Sequence, residues 1–210
     1  MSAIQDEIDE IDTPALHRPD VYDGLADAVR ELLDATVRTR IAAAEVEALT
    51  ARLRGVSREL LVDAHPGSLG RVRGADEWGG NPANPVDGRR NAFAQPLQIH
   101  RDYENQRAAA RFSLGAPYEG PPEHIHGGVI AMLLDQVMGM VPAFTDTPRM
   151  TAYLNVTYRR PSPLMAELGV EAWVDRIEGR KTFVTGRIAD ADGRTTAEAE
   201  ALFVALKPGG

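Results

Sequence analysis

Apolar side chains alternate with charged ones along the first quarter of the chain, beginning at Val21. They recur at every fourth position, at Leu25, Val29, Leu33, Val37 and Ile41. This spacing predicts an amphipathic helix that runs to Arg54 and stops at Gly55, with a shorter helix after Ser57. A helix over residues 21–54 would be roughly 50 Å long. The helical extension, residues 21–64, should therefore pack along the rest of the chain or along a partner.

Two segments have no such period. Residues 1–20 combine acidic side chains with two prolines, which is typical of a flexible acidic tail. Residues 65–92 are dense in glycine, proline and asparagine, which predicts a linker or an irregular wrap.

Strand-like alternation begins at Phe93 and continues to residue 207. The predicted strands are Leu97–Tyr103, Arg107–Leu114, Met150–Arg160, Leu168–Ile177, Lys181–Ala189 and Thr195–Leu206. Glu178-Gly179-Arg180 and the sequence DADG at 190–193 are turn candidates. Between the second and third strands lies one helix that is apolar nearly all round, so antiparallel strands should wrap it. The pattern indicates an α+β domain over residues 93–207.

Composition narrows the class of protein. In 210 residues the net charge is −8, which disfavours nucleic acid as a partner. No apolar run is long enough to span a bilayer, so we expect a cytoplasmic protein without a membrane partner. Cysteine is absent, which excludes disulfides and thiolate chemistry. The histidines show no ligand spacing, and we expect neither a metal nor a cofactor.

The apolar helix carries one carboxylate, Asp135. A charge among apolar side chains is costly unless it is paired, hydrogen-bonded or protonated. Asp135 either bridges a neighbouring backbone group or serves as a base or nucleophile. Gly127 and Gly128, at the predicted start of the helix, would let a ligand approach unpaired N–H groups at the positive end of the helix dipole.

Helix geometry separates the two ends of this motif. His126 and Asp135 are nine residues apart, which is roughly 13 Å along a helix and about half a turn around it. The two side chains cannot meet within one chain. If both serve one site, that site is shared between two subunits, and the chain forms at least a homodimer.

Two sequences carry a family resemblance. HGGVIAMLLDQVMG, from His126, and TAYLNVTYRRPSPL, from Thr151, resemble the hotdog-fold acyl-CoA thioesterases of the phenylacetate-degradation type. The resemblance covers roughly residues 93–207. It implies a hotdog fold, in which a curled antiparallel sheet surrounds a central helix; the N-terminal helical extension lies outside the resemblance. It also implies an acyl-CoA substrate and dimers that often pair into tetramers.

The resemblance also implies roles. Gly127 or Gly128 would present the N–H that binds the thioester oxygen, supported by His126. Asp135 of the partner subunit would activate water or attack directly, and Thr151 would orient the water or the carboxylate.

One position departs from the pattern. Many relatives have an asparagine about six residues before the histidine, where this chain has Gly120. Glu123 or His124 would replace it, or the role is absent; His124 is more simply a loop residue.

Further substrate contacts are expected on the strand after the helix. Arg159 and Arg160 would grip the phosphates of coenzyme A, or form an exposed solvated pair. Asn155 shares the predicted polar face with Thr151 and would face the substrate or the neighbouring subunit.

Three alternative functions remain open at this stage. A non-catalytic acyl-CoA sensor would use the same scaffold without turnover, and a hydratase or dehydratase shares the fold. A structural oligomerisation module would need no polar site. Release of free CoA from acyl-CoAs separates hydrolysis from all three.

Overall fold

The structure, a computed structural model, describes residues 19–70, 80–141 and 149–206, with side chains from residue 21 onward. Helices α1 (Pro19–Arg38) and α2 (Ala43–Leu60) come first, and α3 (Gly127–Gly139) lies between the second and third strands. The strands are β1 His100–Asp102, β2 Arg107–Phe112, β3 Arg149–Tyr158, β4 Leu168–Glu178, β5 Lys181–Asp190 and β6 Thr195–Ala205. Most of the predicted acidic tail (1–18) and residues 71–79 of the predicted linker lie outside the described residues.

One antiparallel sheet surrounds the third helix. Its strand order is β1-β2-β4-β5-β6-β3, so β3 is an edge strand. Helix α3 packs against β2, β3, β4, β5 and β6. Its buried side chains are Ile130, Leu133, Leu134, Val137 and Met138. The predicted arrangement of a curled sheet around a central helix is therefore present.

Small residues on the inner face of the sheet make room for this helix. An added Cβ at Gly186 would lie 2.9 Å from Met138 Cγ, so the methionine occupies the space that a side chain would take. Alanines line the neighbouring stretch of β6, where Ala197, Ala199 and Ala201 are buried. The close approach of helix and sheet gives the tight packing of a protein interior.

The strand predictions are correct from β2 onward. Two turns fall as predicted, with positive φ at Gly179 (57°) and Gly193 (76°). The first predicted strand, Leu97–Tyr103, is wrong in length, because only His100–Asp102 pair with β2. Pro96 cannot donate to a strand ladder, and the nearby Leu97 buries its side chain in the core instead.

The prediction of one long helix to Arg54 that ends at Gly55 is wrong. Helix α1 ends at Arg38, and Ala42 then adopts an extended backbone with its N–H bonded to Glu45 Oε2 at 3.3 Å. That contact caps a new helix, α2, which continues through Gly55. A helical glycine costs only about 1 kcal/mol, which its neighbours can offset. The predicted short helix after Ser57 is the end of α2 and a 3-10 turn at Leu61–Asp63.

Helix α2 has an apolar stripe with coiled-coil spacing and no buried residue. Its members are Val46, Leu49, Leu53, Val56 and Leu60, each 40–50% exposed. Steps of three and four residues are those of a seam that packs against another helix. None of the described helices is long and apolar enough to cross a membrane.

Hydrogen bonds from α1 hold the segment before the sheet, residues 80–99, in place. Arg30 donates from Nε to Ala94 O (2.7 Å) and from Nη2 to Arg89 O (2.8 Å) and Asn91 O (3.2 Å). The Tyr118 hydroxyl donates to Phe93 O, and burial raises the pKa of Tyr118. Residues 80–99 are thus a packed connection, although they contain no regular secondary structure before His100.

Candidate active site

Two backbone hydrogen bonds hold the end of the loop before α3 in place. Ile125 N donates to Ser162 O and His126 N donates to Tyr118 O, both at 2.9 Å. His126 has an extended backbone and caps the helix, and its Nδ1 accepts the Gly128 N–H at 3.0 Å. Since Nδ1 is an acceptor, the neutral ring carries its proton on Nε2. The side chain of His126 is exposed, so this N–H is open to a ligand.

The two glycines differ in availability. The Gly128 N–H is used by His126, whereas the structure records no acceptor for the Gly127 N–H among the described residues. The carbonyl on the same peptide unit, His126 O, accepts from Val129 N (2.9 Å) and Ile130 N (3.2 Å). The Gly127 N–H is therefore an open donor in a peptide plane that is already held in place, at the positive end of a helix.

Asp135 is half-buried and hydrogen-bonded to a side chain. Thr151 Oγ1 donates to Asp135 Oδ1 at 3.0 Å, between β3 and the middle of α3. The recorded partner is a hydroxyl, so the alternative of a backbone bridge is not what the structure shows. The contact restrains one carboxylate oxygen and leaves the other for further bonds.

A β-bulge brings Thr151 to this position. The pairing of β3 with β6 shifts between Thr151 and Tyr153. Thr151 pairs with the buried Phe203, while Tyr153 pairs with Leu202, so the bulge turns Thr151 toward the helix. Beyond the bulge, Leu154 pairs with the buried Ala201 and shares the inner face.

The prediction that Asn155 shares a face with Thr151 is wrong for the same reason. Asn155 pairs with the exposed Glu200, on the outer face of the sheet. Simple alternation from residue 150 would have put it beside Thr151, but the extra residue in the bulge reverses the order.

The two arginines at the end of β3 both have partners. Arg159 forms an ion pair with Glu198 across the sheet, and Arg160 donates from Nη1 to Thr195 O at 2.9 Å. Both side chains are exposed. An exposed ion pair contributes at most about 1 kcal/mol, so it would not prevent either arginine from turning to a phosphate.

Glu123 and His124 of the loop before α3 both form hydrogen bonds within the chain. His124 Nδ1 bonds to Pro122 O at 2.7 Å, and Glu123 has a positive φ of 66° and accepts from Leu164 N at 3.0 Å. Both hold the loop, in agreement with His124 as a loop residue. A Cβ at Gly120 would lie 2.7 Å from His126 Cα, so an asparagine at this position would require a shift of the backbone.

No three His, Asp or Glu side chains come together in the described ranges in a way that could hold a metal ion. The arrangement at α3 is instead an open amide at the helix start, an imidazole beside it, and a carboxylate with a hydroxyl partner farther along. Such groups polarise a carbonyl and activate a nucleophile.

Comparison with known proteins places this chain in a family. Residues 123–197 match the model of the thioesterase superfamily. A solved structure described as a thioesterase superfamily protein is 34% identical, has a TM-score of 0.77, and aligns over 87% of this chain and 94% of its own. The chain belongs to the thioesterase superfamily. The hotdog prediction is confirmed with it.

Named relatives in this superfamily are acyl-coenzyme A thioesterases. THEM4 of Mus musculus is 39% identical over 104 residues, which are 49% of this chain and 45% of that protein. THEM4 of Xenopus laevis is 38% identical over 104 residues, 49% of this chain and 47% of its own length. The chain thus spans about half the length of these relatives. A thioesterase structure from Streptococcus pneumoniae, with a TM-score of 0.50 and 14% identity over 54% of this chain and 93% of its own, shows the fold alone.

Two residues of this superfamily member form hydrogen bonds at helix α3 that were not anticipated from its sequence. The Tyr158 hydroxyl donates to Gly127 O at 2.8 Å. Gln136, next to Asp135, bonds to Asn84 (3.1 Å) and Asp87 (2.7 Å) of the connecting segment. The spacing of residues gives no signal for either, because both join parts of the chain that are far apart in sequence.

Proposed function

We propose that the protein hydrolyses an acyl-CoA thioester to a free acid and CoA. The observation that carries this proposal is the hydrogen bond from Thr151 to Asp135, on the same helix that presents the open Gly127 amide. A carboxylate with one restrained oxygen can serve as a base or nucleophile, and a helix N-terminus with an open donor can stabilise an oxyanion, so together they suit thioester hydrolysis. Similarity to acyl-coenzyme A thioesterases supports the same conclusion.

The helix N-terminus would bind the thioester carbonyl. Its oxygen accepts from Gly127 N–H, and the helix dipole stabilises the negative charge that develops there on attack. His126, with Nε2–H directed outward from the cap, supports the same oxygen or the sulfur of the thioester. Gly128 contributes by fixing the imidazole rather than by binding the substrate.

The carboxylate would supply the nucleophile. Asp135 of the partner subunit takes a proton from a water molecule as the water oxygen attacks the carbonyl carbon. The C–S bond then breaks, and the protonated Asp135 returns the proton to the thiolate of CoA. Direct attack by Asp135 gives an anhydride, which water then cleaves to the same products. In both cases Thr151 holds Oδ1, so that Oδ2 faces the reacting atoms.

Two copies of the chain would complete the site. His126 caps the start of α3, and Asp135 lies nine residues later and about half a turn around the helix. Within one chain, the two side chains therefore point in opposite directions. The edge strand β3 leaves backbone groups without a neighbouring strand, with Met150 61% and Tyr153 40% exposed beside them. Such an edge is suited to pairing with a second copy, which would bring two helices side by side.

The nucleotide part of CoA would lie near the end of β3. Arg160 keeps guanidinium donors beyond the one bonded to Thr195, and Arg159 could exchange Glu198 for a phosphate. Glu123 and His124, in the loop before α3, remain candidate contacts with the substrate. Asn155 would contact only a ligand or partner on the outer face of the sheet.

The test is release of CoA from a panel of acyl-CoAs, short, long and aromatic. Asp135→Asn keeps the side-chain volume and removes the basic oxygen, so we expect turnover to fall by about a hundredfold or more. Asp192→Asn, in the exposed turn before β6, is the matched control and should keep wild-type turnover. Binding without turnover by the wild type would indicate a sensor, and hydration of an enoyl-CoA a hydratase.

A further inference from the structure

Tyr158 contacts the start of helix α3 at a single peptide unit. The peptide between Gly127 and Gly128 is rigid, with its C=O and N–H held in one plane. The carbonyl accepts from the Tyr158 hydroxyl at 2.8 Å, and the N–H donates to His126 Nδ1 at 3.0 Å. Tyrosine, peptide and imidazole thus form one hydrogen-bonded chain that ends at the His126 ring.

The two glycines leave room for these close contacts. A Cβ at Gly127 would lie 3.3 Å from the Tyr158 Cζ and hydroxyl oxygen, and one at Gly128 would lie 3.1 Å from His126 Nδ1. Each glycine gives a side chain close access to the backbone. The pairing of Tyr158 with Ala197 in the sheet fixes the strand from which the tyrosine reaches the helix.

We infer that Tyr158 is a positioning residue for the start of helix α3, where the thioester carbonyl is proposed to bind. It acts through the Gly127–Gly128 peptide on the tautomer and orientation of His126. A hydroxyl that donates to the peptide carbonyl polarises the peptide and makes its N–H a stronger donor. The stronger donor holds His126 with Nδ1 as acceptor and Nε2–H toward the substrate. The same bond fixes the first turn of the helix, and so the direction of the Gly127 N–H.

This inference rests on the proposed function for its effect on turnover, but not for its effect on His126. Tyr158→Phe keeps the ring that lies against Gly127 and removes only the hydroxyl. Because Tyr158 is 54% exposed, water competes for the Gly127 carbonyl and the expected effect is modest. We expect kcat to fall about threefold to tenfold with KM within about twofold, since the bond acts on groups used in the transition state.

The experiment combines kinetics with nuclear magnetic resonance of protein labelled at histidine nitrogens. In the wild type the His126 shifts should report a protonated Nε2 and an unprotonated Nδ1; in Tyr158→Phe they should move toward a mixture of tautomers. Tyr22→Phe removes a hydroxyl from helix α1, keeps the ring that Arg90 lies over, and is the control, expected to change neither.

Unchanged His126 shifts in a folded Tyr158→Phe protein, or a wild-type kcat, would overturn the inference. The nitrogen shifts are recorded without substrate. A wild-type protein that hydrolysed no acyl-CoA would therefore remove the proposed function, while the shifts would still decide whether Tyr158 acts on His126.

Discussion

Replacing Thr151 by valine tests how much the carboxylate depends on its hydroxyl partner. Valine keeps the branched shape and strand preference of threonine and removes the 3.0 Å hydrogen bond to Asp135 Oδ1. Serine keeps the hydroxyl and removes a methyl group instead. The two variants therefore separate the hydrogen bond from the packing of the side chain.

The expected magnitude follows from the exposure of the pair. A hydrogen bond to a charged group contributes about 1.5–3 kcal/mol when it is shielded from water. Thr151 is exposed and Asp135 only half-buried, so the lower end, or about 1–1.5 kcal/mol, applies here. At about 1.4 kcal/mol per factor of ten, Thr151→Val should reduce kcat roughly fivefold to tenfold.

The assay is the initial rate of CoA release at saturating acyl-CoA, with the thermal midpoint of unfolding as a control for folding. Thr151→Ser should stay within about twofold of the wild type, because it can still donate to Asp135. Equal losses in both variants would show that the methyl group, and not the hydroxyl, matters. A wild-type kcat in Thr151→Val would refute the orienting role.

Two further predictions concern the loop and the extension. Gly120→Asn should lower the free energy of unfolding by about 1–3 kcal/mol, because the added Cβ would lie against the backbone of His126. Gly169→Ala is the control, since a Cβ added there meets nothing within 4 Å. Equal thermal midpoints in the two variants would contradict the predicted crowding at Gly120. Leu49→Glu with Leu53→Glu should reduce the mass of the oligomer in light scattering if α2 packs against a second copy, whereas Ala51→Glu, on the opposite face of the helix, should not. An unchanged mass in the double variant would show that the stripe is not part of an interface.

The periodicity of the chain predicted the sheet and the central helix because both repeat over many residues. Strands β2, β5 and β6 alternate between buried and more exposed residues, and the boundaries followed from that pattern to within about two residues. The bulge at Thr151 was not predicted, because one extra residue leaves no mark on the composition of the strand. It nevertheless puts Asn155 and Thr151 on opposite faces of the sheet.

The contacts that join the extension to the domain were also beyond the reach of local patterns. Arg30 bonds to carbonyls 59 to 64 residues away, and Asn84 to a glutamine 52 residues away. These bonds make an ordered connection from a segment whose glycines and prolines predict a linker or an irregular wrap without indicating its contacts. The break between α1 and α2 at residues 39–42 depends on the hydrogen bond from the Ala42 N–H to Glu45. Glutamate is also common in uninterrupted helices, so its presence did not predict the break.

The central claim is that one active site uses Gly127 and His126 of one subunit with Asp135 of another. It is tested most directly by mixing two impaired chains, Asp135→Asn and His126→Ala, and allowing subunits to exchange. In a two-fold dimer with random exchange, half of the dimers are mixed and each has one intact site, so we expect about a quarter of wild-type activity to return. If mass spectrometry confirms the mixed dimers and no activity returns, the site is not shared between subunits.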